Sequence, residues 1–93
     1  MRQIDFTKAA ERSLRKLAES DQRLAKQIKL KLLALLQEPQ LPEALKMLGN
    51  PEYLRIRVGK YRIIYRHDDT MLYVVLIAKR EIVYEEFAWL MSR

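Results

Sequence analysis

Between Tyr53 and Arg66 stand Arg55, Arg57, Arg62 and Arg66, with no aspartate or glutamate among them. Guanidinium groups present paired N–H donors that match the oxygens of a phosphate, and attack on a phosphodiester builds negative charge on its nonbridging oxygens. A cluster of arginines can therefore hold a phosphate and stabilise the charge that develops on it. These arginines are the first functional candidates in the chain.

The elements that position them follow from strict alternation. Side chains on a strand point to opposite faces with period two. A Gly-X connection favours a type II′ turn, so Gly59-Lys60 predicts a hairpin in which Val58 pairs with Tyr61, Arg57 with Arg62, Ile56 with Ile63, Arg55 with Ile64 and Leu54 with Tyr65. One face is then Leu54, Ile56, Val58, Tyr61, Ile63 and Tyr65, which is core material. The other is Tyr53, Arg55, Arg57, Arg62, Ile64 and Arg66. Arg57 directly opposite Arg62 is a like-charge pair, costing roughly 0.2–1 kcal/mol, and a local rule broken without compensation marks a site. The plainer alternative is a solvated outer face whose charge prevents edge-to-edge pairing.

The chain has 93 residues, 49% of them apolar, which suits one globular domain spanning residues 1–93. It contains no cysteine and one histidine, excluding thiol catalysis and a His/Cys zinc site, so neither a metal nor a cofactor is expected. The amino terminus lacks the apolar core of a signal peptide, and no apolar run approaches the roughly 20 residues of a membrane span. A cytoplasmic protein without membrane contact is the expectation. Eighteen Lys and Arg against twelve Asp and Glu give a net charge of +6, a field that attracts phosphates and points to nucleic acid or an acidic protein as partner.

In order, Gln3 to Phe6 predicts a short strand with Ile4 and Phe6 inward, and Thr7 a helix cap. Helices follow at about Lys8 to Glu19, with Ala10, Leu14, Leu17 and Ala18 on one face, and about Gln22 to Gln37, with Leu24, Ile28, Leu32, Leu35 and Leu36 on its inner stripe. Leu30 and Leu33 widen the second helix's apolar surface and suggest a partner packing there. Glu43 to Leu48 predicts a helical turn before the Gly49-Asn50-Pro51 breaker, with Lys46 within reach of the basic face. After the hairpin, Asp68-Asp69 turns the chain into a strand from Met71 to Ala78; pairing His67 with Thr70 puts Tyr65 opposite Leu72, Ile63 opposite Val74 and Tyr61 opposite Leu76. Alternation continued past Ala78 would bury Arg80, so the strand must end, bend or bulge near Lys79, which brings Arg80 and Tyr84 towards the basic face. Glu85 to Ser92 predicts a short closing helix.

The run Leu45-Lys46-Met47-Leu48-Gly49, the segment Tyr53 to Tyr65 with its Gly-x-Tyr-Arg-x-x-Tyr core, and Lys79-Arg80-Glu81-x-x-Tyr84 together resemble the RelE/ParE superfamily of bacterial type II toxins. The pair Arg80 and Tyr84 resembles its RelE-like mRNA endonuclease branch. The resemblance covers nearly the whole chain. It implies an α+β fold: two amino-terminal helices packed on a mainly antiparallel sheet of about four strands, with a short carboxy-terminal helix. It further implies an endoribonuclease that cleaves mRNA in the ribosomal A site by 2′-hydroxyl attack without a metal, inhibits translation, and is held inactive by an acidic, RelB-like antitoxin.

By the same resemblance, Arg57, Arg62, Arg80 and Tyr84 fall on catalytic positions, with Arg62 on phosphate, Arg80 on the leaving group and Tyr84 stacking or exchanging a proton. Arg55, Lys60, Arg66, Lys79 and Lys46 are the accompanying RNA and phosphate contacts. Several relatives carry lysine where Arg55 and Arg57 stand, and arginine does not give up its proton, which leaves open whether Tyr84, Lys79, Lys60 or His67 is the general base or whether proton removal contributes little compared with positioning. A ParE-like inhibitor of DNA gyrase and a non-catalytic RNA-binding module are the rival expectations.

Overall fold

The computed structural model describes residues Met1–Arg93. The elements run β1 (Gln3–Phe6), α1 (Lys8–Ser20), α2 (Gln22–Gln37), β2 (Leu45–Met47), β3 (Asn50–Val58), β4 (Tyr61–His67), β5 (Met71–Lys79) and α3 (Arg80–Met91). The strands form one mixed sheet in the order β1-β5-β4-β3-β2, in which only β1 and β5 run parallel. α1 and α2 cover one face and α3 part of the other. The α+β architecture agrees with expectation, with five strands where about four were expected.

The helical hairpin forms as its caps dictate. The Thr7 hydroxyl accepts from the Ala10 N–H at 3.1 Å, and Asp21 Oδ1 accepts from the Leu24 N–H at 3.1 Å, each satisfying a donor that the first helical turn leaves unpaired. α1 packs over β5 and α2 over β3. Between them and the sheet lies the larger core, including Leu17, Leu24, Ile28, Leu32 and Leu35 from the helices and Leu54, Ile56, Ile63, Tyr65, Leu72 and Val74 from the strands. Tyr65 is fully buried there and donates its hydroxyl to the Pro39 carbonyl at 2.6 Å, tying the loop after α2 to the sheet. That burial pushes the Tyr65 phenol well above its ordinary pKa.

The β3–β4 pairing matches the expected register residue for residue from Leu54↔Tyr65 to Val58↔Tyr61. Gly59 has φ +58° while Lys60 keeps a negative φ, the combination of a type II′ turn that only glycine takes without strain at its first central position.

Four expectations require correction. Leu45–Met47 is a strand, β2, where Glu43 to Leu48 was expected to form a helical turn; it pairs with β3 through Leu45↔Arg55 and Lys46↔Leu54, supplying backbone partners along that edge. The β4–β5 register also differs. His67 faces Leu72 and Tyr65 faces Val74, and an extra residue, Val75, then shifts the ladder so that Ile64 faces Leu76 and Ile63 faces Ile77. The connecting loop is longer than a two-residue turn because Asp68 Oδ1 accepts from the N–H groups of both Thr70 and Met71, at 2.9 and 2.8 Å; these bonds also hold the Asp68 carboxyl below its usual pKa. As a third consequence, the bulge turns Leu76 onto the α3 face and Ile77 onto the α1 face, the reverse of simple alternation. The Thr7 hydroxyl secures it by donating to the Val75 carbonyl at 2.6 Å.

Finally, α3 begins at Arg80 and not near Glu85. Its first N–H, from Arg80, is satisfied by the Lys60 carbonyl at 3.0 Å, so the helix starts against the hairpin turn. Glu81 in its first turn complements the helix dipole. Arg80 thus escapes burial by leaving the sheet.

Candidate functional site

The second face of the sheet carries a small core of Met47, Ile64, Val75, Leu76, Ala78, Val83 and Phe87, with Tyr53, Leu90 and Met91 against it. Val83 and Phe87 are the buried residues of α3, and the ring of Phe87 meets Tyr53 edge-on at 5.2 Å. α3 therefore docks along β4 and β5 and leaves the β3 side of this face open.

On that side the structure brings Arg55 to Tyr84, with the guanidinium carbon 5.3 Å from the ring centroid. Tyr84 reaches this position because it lies one residue from Val83 and three from Phe87, on the flank of the helix turned towards β3. Tyr84 as a whole is 37% exposed, so part of it stays accessible to a ligand. Tyr84 thus reaches the basic face, as expected, through Arg55.

Arg57 and Arg62 stand directly opposite, as expected. Arg62 answers the repulsion by turning back on the hairpin: its Nη1 donates to the carbonyls of Tyr61 and Gly59 at 3.0 and 3.3 Å. Arg57 is exposed, as are Lys60 in the turn and Arg80 at the helix start. Arg66 lies two residues beyond Ile64 on the same face, its guanidinium carbon 4.2 Å from the centroid of Tyr73. The molecule's ion pairs are Arg15–Glu11 and Lys31–Glu43, so every arginine of this face is without a carboxylate partner.

Two expected members are placed elsewhere. Lys46 pairs with Leu54, and directly opposed residues share a face, so Lys46 belongs to the α2 side. Lys79 pairs with Tyr61 and lines a groove with Ser13, Lys16 and Ser20 of α1. His67 is half-buried beside its turn, with Nδ1 enclosed and without a hydrogen-bond partner. No three His, Asp or Glu side chains gather in a way that could ligate a metal ion. Sequence reasoning missed Tyr73, whose apolar neighbours on β5 disguised it; alternation puts it on the face of Arg66, but the expected register set it opposite Ile64, and only the longer loop brings it opposite Arg66.

A helical hairpin and a carboxy-terminal helix on opposite faces of a mixed sheet, with arginines that lack carboxylate partners beside the third helix, define a small basic α+β protein. The model of the ParE toxin of type II toxin-antitoxin systems, parDE, matches residues 4–84. The chain belongs to this family, within the RelE/ParE superfamily of toxins.

Among solved structures, a mutant of the Escherichia coli toxin RelE in the free state is 26% identical, with a TM-score of 0.72 over 92% of this chain and 90% of that one. The toxin-antitoxin complex RelBE from Escherichia coli contains a chain 26% identical, with a TM-score of 0.71 over 85% and 96% of the two chains. The YoeB/ParE toxin from Agrobacterium tumefaciens shares the fold at 17% identity, with a TM-score of 0.75 over 84% and 98%. Comparison with curated proteins gives no match. No helix is long and apolar enough to cross a membrane.

Proposed function

We propose that this toxin is a metal-independent endoribonuclease that cleaves mRNA in the ribosomal A site by attack of a 2′-hydroxyl on the adjacent phosphate. The observation that carries the proposal is the Arg55–Tyr84 contact on a face whose arginines have no carboxylate partner. A phosphodiester seated there meets guanidinium donors from Arg55, Arg57 and Arg62, which stabilise the charge gained by its nonbridging oxygens. In this reading Arg80, exposed at the start of α3, neutralises the charge on the departing 5′-oxygen. Tyr84, in contact with Arg55 and partly exposed, exchanges a proton with the reacting oxygens through its hydroxyl or stacks its ring on a base.

Proximity is the part this chain does not supply alone. Arginines bind a phosphate but do not hold a 2′-hydroxyl in line with its leaving group, and the ribosome provides that alignment. Lys60, exposed in the hairpin turn, contributes a further phosphate contact at that end of the face. The natural inhibitor is an acidic antitoxin, as the RelBE complex suggests, and Leu30 and Leu33 on α2, 57% and 53% exposed, give it apolar surface, with Leu30 lining a groove that reaches Arg57.

Single-turnover cleavage on mRNA-programmed ribosomes tests the role of Tyr84. Tyr84→Phe is expected to bind ribosomes normally and to cleave at least about tenfold more slowly, a threshold below the roughly 100-fold at which the typical contribution of an acid–base group begins. Cleavage at the wild-type rate would reduce Tyr84 to stacking. A second reading is favoured by the family model itself, which describes ParE: inhibition of DNA gyrase without RNA cleavage. Failure of the wild-type protein to cut programmed mRNA, together with inhibition of gyrase supercoiling, would favour it.

A further inference from the structure

We infer that the recess formed by Arg66, Tyr73, Tyr53 and Asp5 at the carboxy-terminal end of α3 is a nucleobase-binding subsite, separate from the phosphate-holding arginines. The inference rests on the reading of this face as an RNA track. The recess measures about 330 Å³ and is closed on its apolar side by Val75 and Leu90. Its walls are aromatic and already ordered: the guanidinium of Arg66 lies over Tyr73 at 4.2 Å, and Tyr53 is braced edge-on by Phe87.

The chemistry favours a base over a phosphate. Asp5 stands opposite Tyr73 in the β1–β5 register and lines the same recess, so a phosphate entering there meets a carboxylate. Asp5 Oδ1 accepts from the Phe6 N–H at 2.9 Å, leaving Oδ2 as a free acceptor. A donor fork from Arg66, an acceptor from Asp5 and planar faces on which to stack suit a flat ring whose edge carries both acceptors and donors. Unpaired nucleobases have that form, and they are recognised by stacking on aromatic rings and arginine planes together with hydrogen bonds to their edges.

The placement suits a neighbouring nucleotide of the strand that reaches Arg55 and Tyr84. Ile64 faces Arg55, and Arg66 follows it on the same face at two residues of strand rise, about 7 Å. α3 leads in the same direction, from Tyr84 past Phe87 to Leu90 at the recess.

The test uses the full chain and a short fluorescein-labelled single-stranded RNA, together with the same RNA carrying one abasic nucleotide at each successive position. Fluorescence anisotropy reads binding, so the result stands whether or not the protein cuts. Tyr73→Ala is expected to weaken the intact RNA about tenfold, the scale of one lost stack, and to bind one of the abasic RNAs as well as the wild type does. Tyr73→Phe should restore the loss, because the ring that supports Arg66 remains. Equal weakening of the intact and all abasic RNAs, full affinity in Tyr73→Ala, or no RNA binding by the folded wild-type protein would each overturn the subsite. Base-dependent binding by a protein that leaves programmed mRNA intact would overturn the nuclease reading alone.

Discussion

The two faces of one sheet are built to different ends. Under α1 and α2, strand and helix residues close into a continuous apolar core, and its one deeply buried phenol, Tyr65, has its hydrogen bond satisfied by Pro39. Under α3 the apolar cluster is less than half that size, and the surrounding surface is arginine without counter-charge. Like charges crowded on a sheet oppose folding, so the closed face must stabilise what the open face destabilises. The comparison teaches that stability and function are separable here by face, and substitutions on each should behave oppositely.

The largest effect is expected where the two meet. Phe87 is buried against the sheet and braces Tyr53, so Phe87→Ala should cost about 3–5 kcal/mol in urea unfolding and release Tyr84 from Arg55, losing toxicity as well. Retained stability would show that α3 is not anchored through this ring.

Arg62→Ala separates the faces from the functional side. Removing one donor to a developing oxyanion costs about 2.7–4 kcal/mol of transition-state stabilisation, so growth arrest should be lost at normal protein levels. Stability should hold, because the lost bond to Gly59 is exposed, that to Tyr61 only partly buried, and the clash with Arg57 goes with them. Full growth arrest by an equally abundant variant would remove Arg62 from the site.

Tyr65→Phe is the converse and the smallest. It strands the Pro39 carbonyl in a buried position and should cost about 1–3 kcal/mol of stability while leaving cleavage unchanged. A change in cleavage rate without a change in stability would break the division between faces.

How much of this was legible in the sequence follows the same division. The β3–β4 hairpin could be read to the residue, because alternation and a single positive-φ glycine determine both register and face. β5 could not. Its residues from Leu72 to Ala78, Tyr73 aside, are apolar on both sides, so nothing in the pattern marks Val75 as the extra residue; the bulge is held by Thr7, distant in sequence. The start of α3 was hidden by Ile82 and Val83, whose β-branched side chains suit a strand, whereas its first N–H is satisfied by the Lys60 carbonyl of the hairpin turn. Lys46 was misplaced because three residues of β2 are too short to show alternation. The arginine cluster was legible as chemistry; the contact of Arg55 with Tyr84 required the helix.

The central claim is that the arginine face cuts translated RNA, and it is met most directly by mapping messenger ends after brief induction of the wild type and of Arg62→Ala. The account predicts new ends at defined positions within translated frames in the wild type, and their absence in the variant. Intact messages with a DNA-damage response in the wild type, or the same ends in both, would contradict it.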